Sequence, residues 1–457
     1  MTAPIAAPTR RDPAGWFGHP GGLSTLFFTE MWERFSYYGM RAFLILYMTA
    51  PAAAGGLEFD VKHAGSVYGT YTSSAWAAAI FGGIVADRFL GQYRSVLFGG
   101  SIIALGHFTL AFKSLPFFYA GLSFIVIGTG LLKPNVSTLV GGLYDQSDAR
   151  RDAGFSIFYM GINLGAALGP IIAGWFAQQV SWHVGFACAG IGMSFGLVQY
   201  VLGKRRLQPA FERLAVRPPP RLAATAASAD PRASATPAWL GFTRVEWKRI
   251  AAMFVFFVFA AVFWTGYEQA GSTLNLFGDR YTRLSVLGFS FPSSWYVAVQ
   301  AIFVILLAPV FAWLWVRLGR REPSSPAKFA FGLFFLGLSF VLLIPAAAVA
   351  QSGSGVRVSP LWLVGCYFVQ ELGELSLSPV GLSVFTKLAP VKIVGMMLGV
   401  WFLADALGNK LAGWTAGFFT SMPLSQLFGA LAAVCLGAAA ILFLMIQPVK
   451  RLMGGVH

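Results

Sequence analysis

Four charged residues, Glu30, Glu33, Arg34 and Arg41, stand inside the otherwise apolar stretch 24–50. Crossing a bilayer as a helix takes about 20 mostly apolar residues, so this stretch is long enough to span. A charged side chain facing lipid costs roughly 2.5–3.5 kcal/mol even on the lenient insertion scale, and four would cost on the order of 10–14 kcal/mol. At about 100° per residue, Glu30, Glu33, Arg34, Tyr37, Tyr38 and Arg41 fall within an arc of roughly 140°. One helix face is therefore a polar stripe whose acids and bases neutralise one another. Such a stripe can take up protons on its acids and recognise charge with its bases, along a water-filled or substrate-filled path. The bland reading is a buried salt-bridge knot that only holds helices together.

Later apolar stretches carry further charges. Counting depth from span ends at about 1.5 Å per residue, Arg41 and Glu268 both lie in the outer half, on opposite halves of the chain. They are expected to meet as an outer gate. Lys133 and Glu374 share a depth on the cytoplasmic side of centre, near the Glu30–Arg34 cluster, and are expected to form the matching inner gate. A carboxylate set among bases in a partly dry cavity suits a proton carrier, because protonation releases the base and loosens the gate. Proton coupling is favoured over sodium, which would need unwound helices offering carbonyls. Glu371, Asp405 and Lys410 receive no role beyond structural pairing. Asp405 and Lys410, five apart, are not a natural intrahelical pair.

The elements that must position these groups follow from composition. The chain has 457 residues, of which 56% are hydrophobic and 11% charged, with a mean hydropathy of +0.66. Soluble domains carry about 25% charged residues, so this is an all-α polytopic membrane protein. Spans are expected near 24–50, 62–86, 92–112, 116–141, 150–178, 182–203, 247–272, 292–319, 326–350, 358–388, 391–421 and 424–446. Only 204–246 is a long connection, with an Arg-Pro-Pro-Pro-Arg-Leu run and an Ala/Ser/Pro stretch. It reads as a linker between a six-helix bundle at 24–203 and another at 247–450, flanked by tails at 1–23 and 451–457. No cleavable secretory signal is expected at the start, where Arg10 and Arg11 sit in an Ala/Pro/Gly-rich segment. The net charge of +15 lies in loops on one side of the membrane rather than in a nucleic-acid-binding patch. With both termini inside, the outer loops hold only Lys62, Lys113, Arg280, Arg283 and Arg357, and the spans hold Arg34, Arg41, Lys133 and Lys410. All other lysines and arginines fall in inner loops or tails, which places both termini in the cytoplasm of a cell (inner) membrane. Six plus six with a basic linker is the plan of the major facilitator fold, whose halves rock about a central site.

Several blocks resemble the proton-coupled oligopeptide transporter (POT) family of the major facilitator superfamily. Glu30-Met-Trp-Glu33-Arg34-Phe-Ser-Tyr-Tyr-Gly is similar to its helix-1 ExxER motif. Gly128-Thr-Gly-Leu-Leu-Lys133-Pro134-Asn135, followed by Leu143-Tyr-Asp-Gln146, resembles its helix-4 motif, and Phe155-Ser-Ile-Phe-Tyr159-Met-Gly-Ile-Asn163 its helix-5 signature. Further matches are Phe263-Trp264 through Glu268-Gln269, Gly373-Glu374 through Ser378-Pro379 to Ser383, and Trp401-Phe402-Leu. The resemblance implies import of di- and tripeptides driven by protons, with the proton as coupling ion and no other cofactor. It implies that Glu30, Glu33, Arg34, Lys133 and Glu268 couple the proton. It further implies that Arg41, Lys133 and Asn163 face the peptide carboxylate and that Glu374 receives the amino group, with Ser378 and Gln300 near it. Tyr37 and Tyr38 would contact the peptide backbone, and Trp264, Trp401 and Phe402 would line side-chain pockets. A zwitterionic peptide independently needs a cation at one end, an anion at the other and tolerant apolar walls between.

The sequence departs from the family pattern at two positions. Trp76 stands where the family usually has a pocket tyrosine, which Tyr71 or Tyr68 replaces only if the helix is rotated. Gln300 stands where an asparagine is usual. Many bacterial relatives insert two helices between the halves, but 204–246 has no apolar run of span length, so twelve helices are expected. Rival readings are another facilitator-type proton-coupled transporter for drugs, sugars or peptide-like solutes, and a non-transporting peptide sensor. An enzyme is disfavoured: His19 and His457 lie in tails, and His63, His107 and His183 lie at span ends without metal spacing. There is also no HExxH or phosphate loop. Cys188, Cys366 and Cys435 read as buried thiols. The expected partners are peptides, protons and membrane lipid, with no nucleic acid, and the expected state is a monomer.

Overall fold

The computed structural model describes residues 15–145, 148–216, 242–353, 355–390 and 393–454. Gln146 of the helix-4 motif, His457, Arg10 and Arg11, and most of the 204–246 linker lie outside the described residues.

Twelve long helices run through the chain: α1 (Gly22–Thr49), α2 (Val61–Val85), α3 (Gly91–Leu110), α4 (Leu115–Gly142), α5 (Arg151–Gln179), α6 (Trp182–Leu202), α7 (Arg244–Tyr267), α8 (Trp295–Leu318), α9 (Ser325–Ala350), α10 (Leu361–Leu388), α11 (Val394–Ala416) and α12 (Leu424–Met453). Seven of the candidate spans are long and apolar enough to cross a membrane by composition alone. Charged and small residues keep α1, α2, α3, α10 and α11 below that mark. Large apolar side chains such as Phe254, Leu306, Val316 and Leu444 project from the outside of the bundle, where lipid rather than water is their solvent.

Helix starts follow local chemistry. Asp60 caps α2 by accepting from the His63 amide at 2.9 Å. Thr243 and Glu246 form a reciprocal capping box at the head of α7, satisfying amides that have no partner inside the helix. A π-helical turn, Ala86–Leu90, closes α2, and Gly91 at φ 71° lets the chain double back into α3. At the start of the linker, a short helix over Gln208–Val216 docks beneath α4. There Arg213 donates to the Leu143 carbonyl at 2.8 Å and pairs with Asp145 at 3.1 Å. In the neighbouring loop, hydrogen bonds from Arg150 hold the Asp148 carboxyl down at about 2.

Packing divides the helices into two groups. In the first, α1 lies on α5 and α6, and α3 and α2 lie on α4; in the second, α9 lies on α12 and α10, and α7 lies on α11 and α12. Two seams join the groups, α2 against α11 and α5 against α8. The first seam is built on glycine: a Cβ on Gly69 would stand 2.9 Å from the Cα of Gly413 and 3.1 Å from the Asn409 and Lys410 carbonyl oxygens. Only the absence of a side chain lets these backbones touch.

One element differs from its expected form. The seventh span does not run straight to 272. It breaks into a 3-10 turn at Glu268–Gly271 and resumes as a short helix over Thr273–Tyr281. The break turns Glu268 and Gln269 into the protein interior, and Gln269 satisfies the local polar groups by donating to the Thr415 hydroxyl at 2.6 Å and accepting from Thr273. α11 ends at Ala416 and α12 extends to Met453, shifts of several residues from the expected ends.

Candidate transport site

The charged residues of the α1 stripe are buried. Glu30, Glu33, Arg34 and Arg41 are each no more than 5% exposed, so their mutual pairing replaces water. The Arg34 guanidinium pairs with Glu33 and, at 3.3 Å, with Glu30. One oxygen of each acid, Glu30 Oε2 and Glu33 Oε1, and the Arg34 Nη2 are left without a partner among the described residues. A proton on either carboxyl would supply a donor to this half-satisfied knot.

About two turns further along, Arg41 crosses to the other half of the molecule. Its Nη2 pairs with Glu268 and its Nε donates to the Tyr68 hydroxyl at 2.5 Å. Tyr38 lies between the two bases, with the Arg34 and Arg41 guanidinium carbons 6.0 and 5.7 Å from its ring centroid. Tyr37 packs edge-on to Tyr38 and beside Tyr71, and its hydroxyl is buried without a partner. The helix-1 residues expected to act together are therefore contiguous.

Across the interior, Lys133 and Glu374 are not brought together. The Lys133 ammonium stands 2.8 Å from the centroid of the Trp76 ring, and Trp76 in turn stacks on Phe402 of α11 at 6.0 Å. Glu374 lies beside Glu371 and Ser378 on its own helix. The expected inner contact is thus replaced by a cation–π contact on one side and an acid–acid contact on the other. Trp76 is no inert stand-in for tyrosine, since its larger ring takes the ammonium.

The remaining candidates sort by what they touch. Asn163 donates to the Tyr159 carbonyl of its own helix at 3.0 Å. Trp264 is buried against Phe263 and Tyr267, with its indole nitrogen unpartnered. Gln300 donates to Gln370 at 3.1 Å and not to Glu374. Trp401 packs into the second half against Phe329 and Phe385, which places Phe402 rather than Trp401 at the interface with the first half.

Four groups not given a role from the sequence belong to this site. Tyr68 holds Arg41, as above. Tyr267 donates to Glu371 at 2.9 Å. Glu371 is fully buried; its place one turn before Glu374 on the same face was the signal that could have found it. Asp405, expected only to pair structurally, accepts from Asn409 at 2.8 Å. Lys410 is separate from it and donates to Thr70 at 2.6 Å across the α2–α11 seam.

The side-chain hydrogen bonds and ion pairs that join the halves cluster at one end among the described residues. Besides Arg41–Glu268 and Lys410–Thr70 they are Asn275 to the Ala42 carbonyl at 2.7 Å, Gln178 with Ser293 and Ser294 at 2.8 and 2.9 Å, and Trp295 to Ile171 at 3.0 Å. No such bond joins described residues of the two halves at the end that carries the linker.

Two six-helix groups meeting at α2–α11 and α5–α8 around buried opposite charges define a membrane transporter of the facilitator type. The sequence profile of the POT family matches residues 93–210 and 243–440, and the chain belongs to that family. An uncharacterized transporter of Bacillus subtilis is 40% identical over 97% of this chain and 96% of its own length. A di-/tripeptide transporter of Lactococcus lactis is 35% identical over 97% of this chain and 98% of its own. The solved structure of a peptide transporter POT in complex with alafosfalin superposes with a TM-score of 0.85 at 38% identity, covering 96% of this chain and 97% of that one. The chain is accordingly a multi-pass membrane transporter of twelve helices, and not an enzyme.

Proposed function

We propose that this chain is a proton-coupled symporter that imports di- and tripeptides by alternating access, from a cell membrane in which both termini and the 204–246 linker face the cytoplasm. The observation that carries the reading is the continuous buried face of α1, where an acid–base knot (Glu30, Glu33, Arg34) adjoins a base–acid pair between the halves (Arg41, Glu268). The peptide transport of the relatives named above supports the substrate class. Domain limits follow the sequence reading: bundles at 24–203 and 247–450, tails at 1–23 and 451–457. The working unit is a monomer, with a complete site between its two halves.

In this reading the Arg41–Glu268 pair is the outer gate and is closed, while the linker end is open to the cytoplasm. Lys133, Arg41 and Asn163 take the peptide carboxylate; Glu374, with Ser378 and Gln300 behind it, takes the ammonium; Tyr37 and Tyr38 contact the backbone. Trp264, Phe402 and Trp401 wall the side-chain space. A proton delivered to Glu30 or Glu33 frees Arg34 and loosens the inner end, and Lys133 leaves Trp76 for Glu374 when that end closes.

The test is uptake of an alanyl dipeptide by proteoliposomes with and without an imposed inward proton gradient. Accumulation above the external concentration only with the gradient is the expected result. Equilibration unaffected by the gradient would rule out coupling, and absence of any flux would leave a binding protein rather than a transporter.

A further inference from the structure

Outside the α1 cluster, α10 carries two carboxyl groups one turn apart on the same face, Glu371 and Glu374. Both are buried, Glu371 completely. Residues three apart on a helix are neighbours on its surface, so the two carboxyls stand side by side. Ionised carboxylates only accept hydrogen bonds, so a bond between two carboxyl groups requires a proton on one of them. The Tyr267 hydroxyl donates to Glu371 Oε1 at 2.9 Å and orients that group. The Oε2 oxygens of Glu371 and of Glu374 are buried with no donor among the described residues, and neither carboxyl pairs with a described base.

The surroundings offer no cation among the described residues. From α7 the pair is faced by Tyr267 and Glu268, and from α5 by Tyr159. α8 presents the uncharged Gln300, bonded to Gln370. On α11, Asp405 accepts from Asn409, and Lys410 is engaged with Thr70. On α9, Lys328 pairs with Glu322. Two full negative charges side by side, buried and facing only acidic, phenolic and amide groups, are what desolvation and like-charge repulsion together exclude.

We propose that Glu371 and Glu374 hold one proton between them, forming a proton-binding site in the second half of the molecule that is separate from the Glu30–Glu33–Arg34 knot. The proton resides on Glu371, which donates it to Glu374, and the pair carries a single negative charge. If Glu374 receives the peptide ammonium, as proposed above, one positive charge meets one negative charge and the shared proton stays in place. Glu371 is then a positioning residue that keeps the Glu374 carboxylate single and aimed.

Infrared difference spectra of the full chain, titrated to alkaline pH in water and in deuterium oxide, report protonated carboxyls directly. The expected result is a carboxyl band, shifted by deuterium, that is lost in Glu371→Gln and displaced in Tyr267→Phe. Bands unchanged in both variants would overturn the proposal. Should Glu371→Gln fail to fold, the Tyr267→Phe displacement alone decides the outcome in the same way. Dipeptide binding adds a second readout. An amide N–H can replace the carboxyl O–H, so Glu371→Gln should bind within about threefold of wild type, whereas Glu371→Ala should lose about tenfold. The two readings fail separately. Unchanged dipeptide affinity in Glu374→Gln sinks the ammonium assignment and leaves the shared proton standing. An unchanged carboxyl band in folded Glu371→Gln sinks the shared proton whatever the affinities.

Discussion

Arg41 joins two elements of opposite halves at once, through Glu268 and through Tyr68, and none of the three is exposed to more than a few per cent. Removing one partner of a buried pair strands the other, which commonly costs about 3–5 kcal/mol. A buried hydrogen bond to a charged group contributes about 1.5–3 kcal/mol, so Tyr68→Phe should loosen the closed end by roughly 10-fold or more, read as the fraction of molecules open at that end by spin-label distance measurements. Recognition at the other end of the pocket is testable at one residue as well. Truncating one partner of a desolvated charge pair costs about 2–5 kcal/mol, so Glu374→Gln should weaken dipeptide binding by roughly 30-fold or more. An N-acetylated peptide has no ammonium and should bind wild type poorly, with little further loss in the variant. If acetylated and free peptides lose affinity in the same proportion, the coupling energy is near zero and Glu374 does not meet the amino group. At this scale the sequence was most legible where charge breaks an apolar run: Glu30, Glu33, Arg34, Arg41 and Glu268 are conspicuous because lipid forbids them unpaired. It was least legible for neutral partners. Nothing in the spacing of Tyr68 or Tyr267 separates a tyrosine that holds a charge from one that fills a core, because that depends on how each helix is rotated.

Helices were readable for the same reason that charges were: span length follows from bilayer thickness, and caps such as Thr243 with Glu246 mark their own positions. The break at Glu268–Gly271 was not readable, because the Gly-Tyr-Glu-Gln-Ala-Gly run is compatible with a continuing helix and only tertiary partners such as Thr415 decide against it. The partner that Lys133 takes in this shape was not readable for a related reason. Depth counting gives height along the membrane but no azimuth, and it is azimuth that sets the ammonium over Trp76. The seams between halves make a prediction at the scale of elements. A Cβ on Gly174 of α5 would meet only the side chain of Ser294 at the head of α8, with the Ser294 Cβ 2.6 Å away. Disulfide-linked Cβ atoms lie about 3.5–4.5 Å apart, so a shift of about 1 Å admits the bond. Gly174→Cys with Ser294→Cys, in a background lacking Cys188, Cys366 and Cys435, should crosslink on oxidation and arrest transport until reduced. No crosslink under any condition, with both single-cysteine proteins active, would contradict the closure of this seam.

For the whole molecule, the contacts between halves are unequal at the two ends, and the inequality sets what a proton must do. One end is held by Arg41–Glu268, by Gln178 with Ser293 and Ser294, and by the glycine seam of Gly69 and Gly413. At the linker end the described charges are turned inward to their own halves, Arg34 to Glu30 and Glu33, and Glu374 to Glu371. A cycle that visits both shapes must exchange these sets, and the half-satisfied α1 knot is the element whose charge a proton changes without help from substrate. Moving one proton through 100 mV supplies about 2.3 kcal/mol, enough for roughly 50-fold accumulation of a neutral zwitterion. Glu33→Gln keeps the shape of the side chain and removes its negative charge, so the knot behaves as if permanently protonated. Such a protein can still shuttle loaded in both directions but cannot convert the proton gradient into a directed cycle. Gradient-driven uptake of an alanyl dipeptide into proteoliposomes should therefore vanish in Glu33→Gln, while counterflow exchange against preloaded peptide continues at a rate close to wild type. Loss of both activities would mean that Glu33 is needed for the conformational change itself. Undiminished gradient-driven uptake would remove Glu33 from the coupling mechanism and return the α1 knot to a purely structural role.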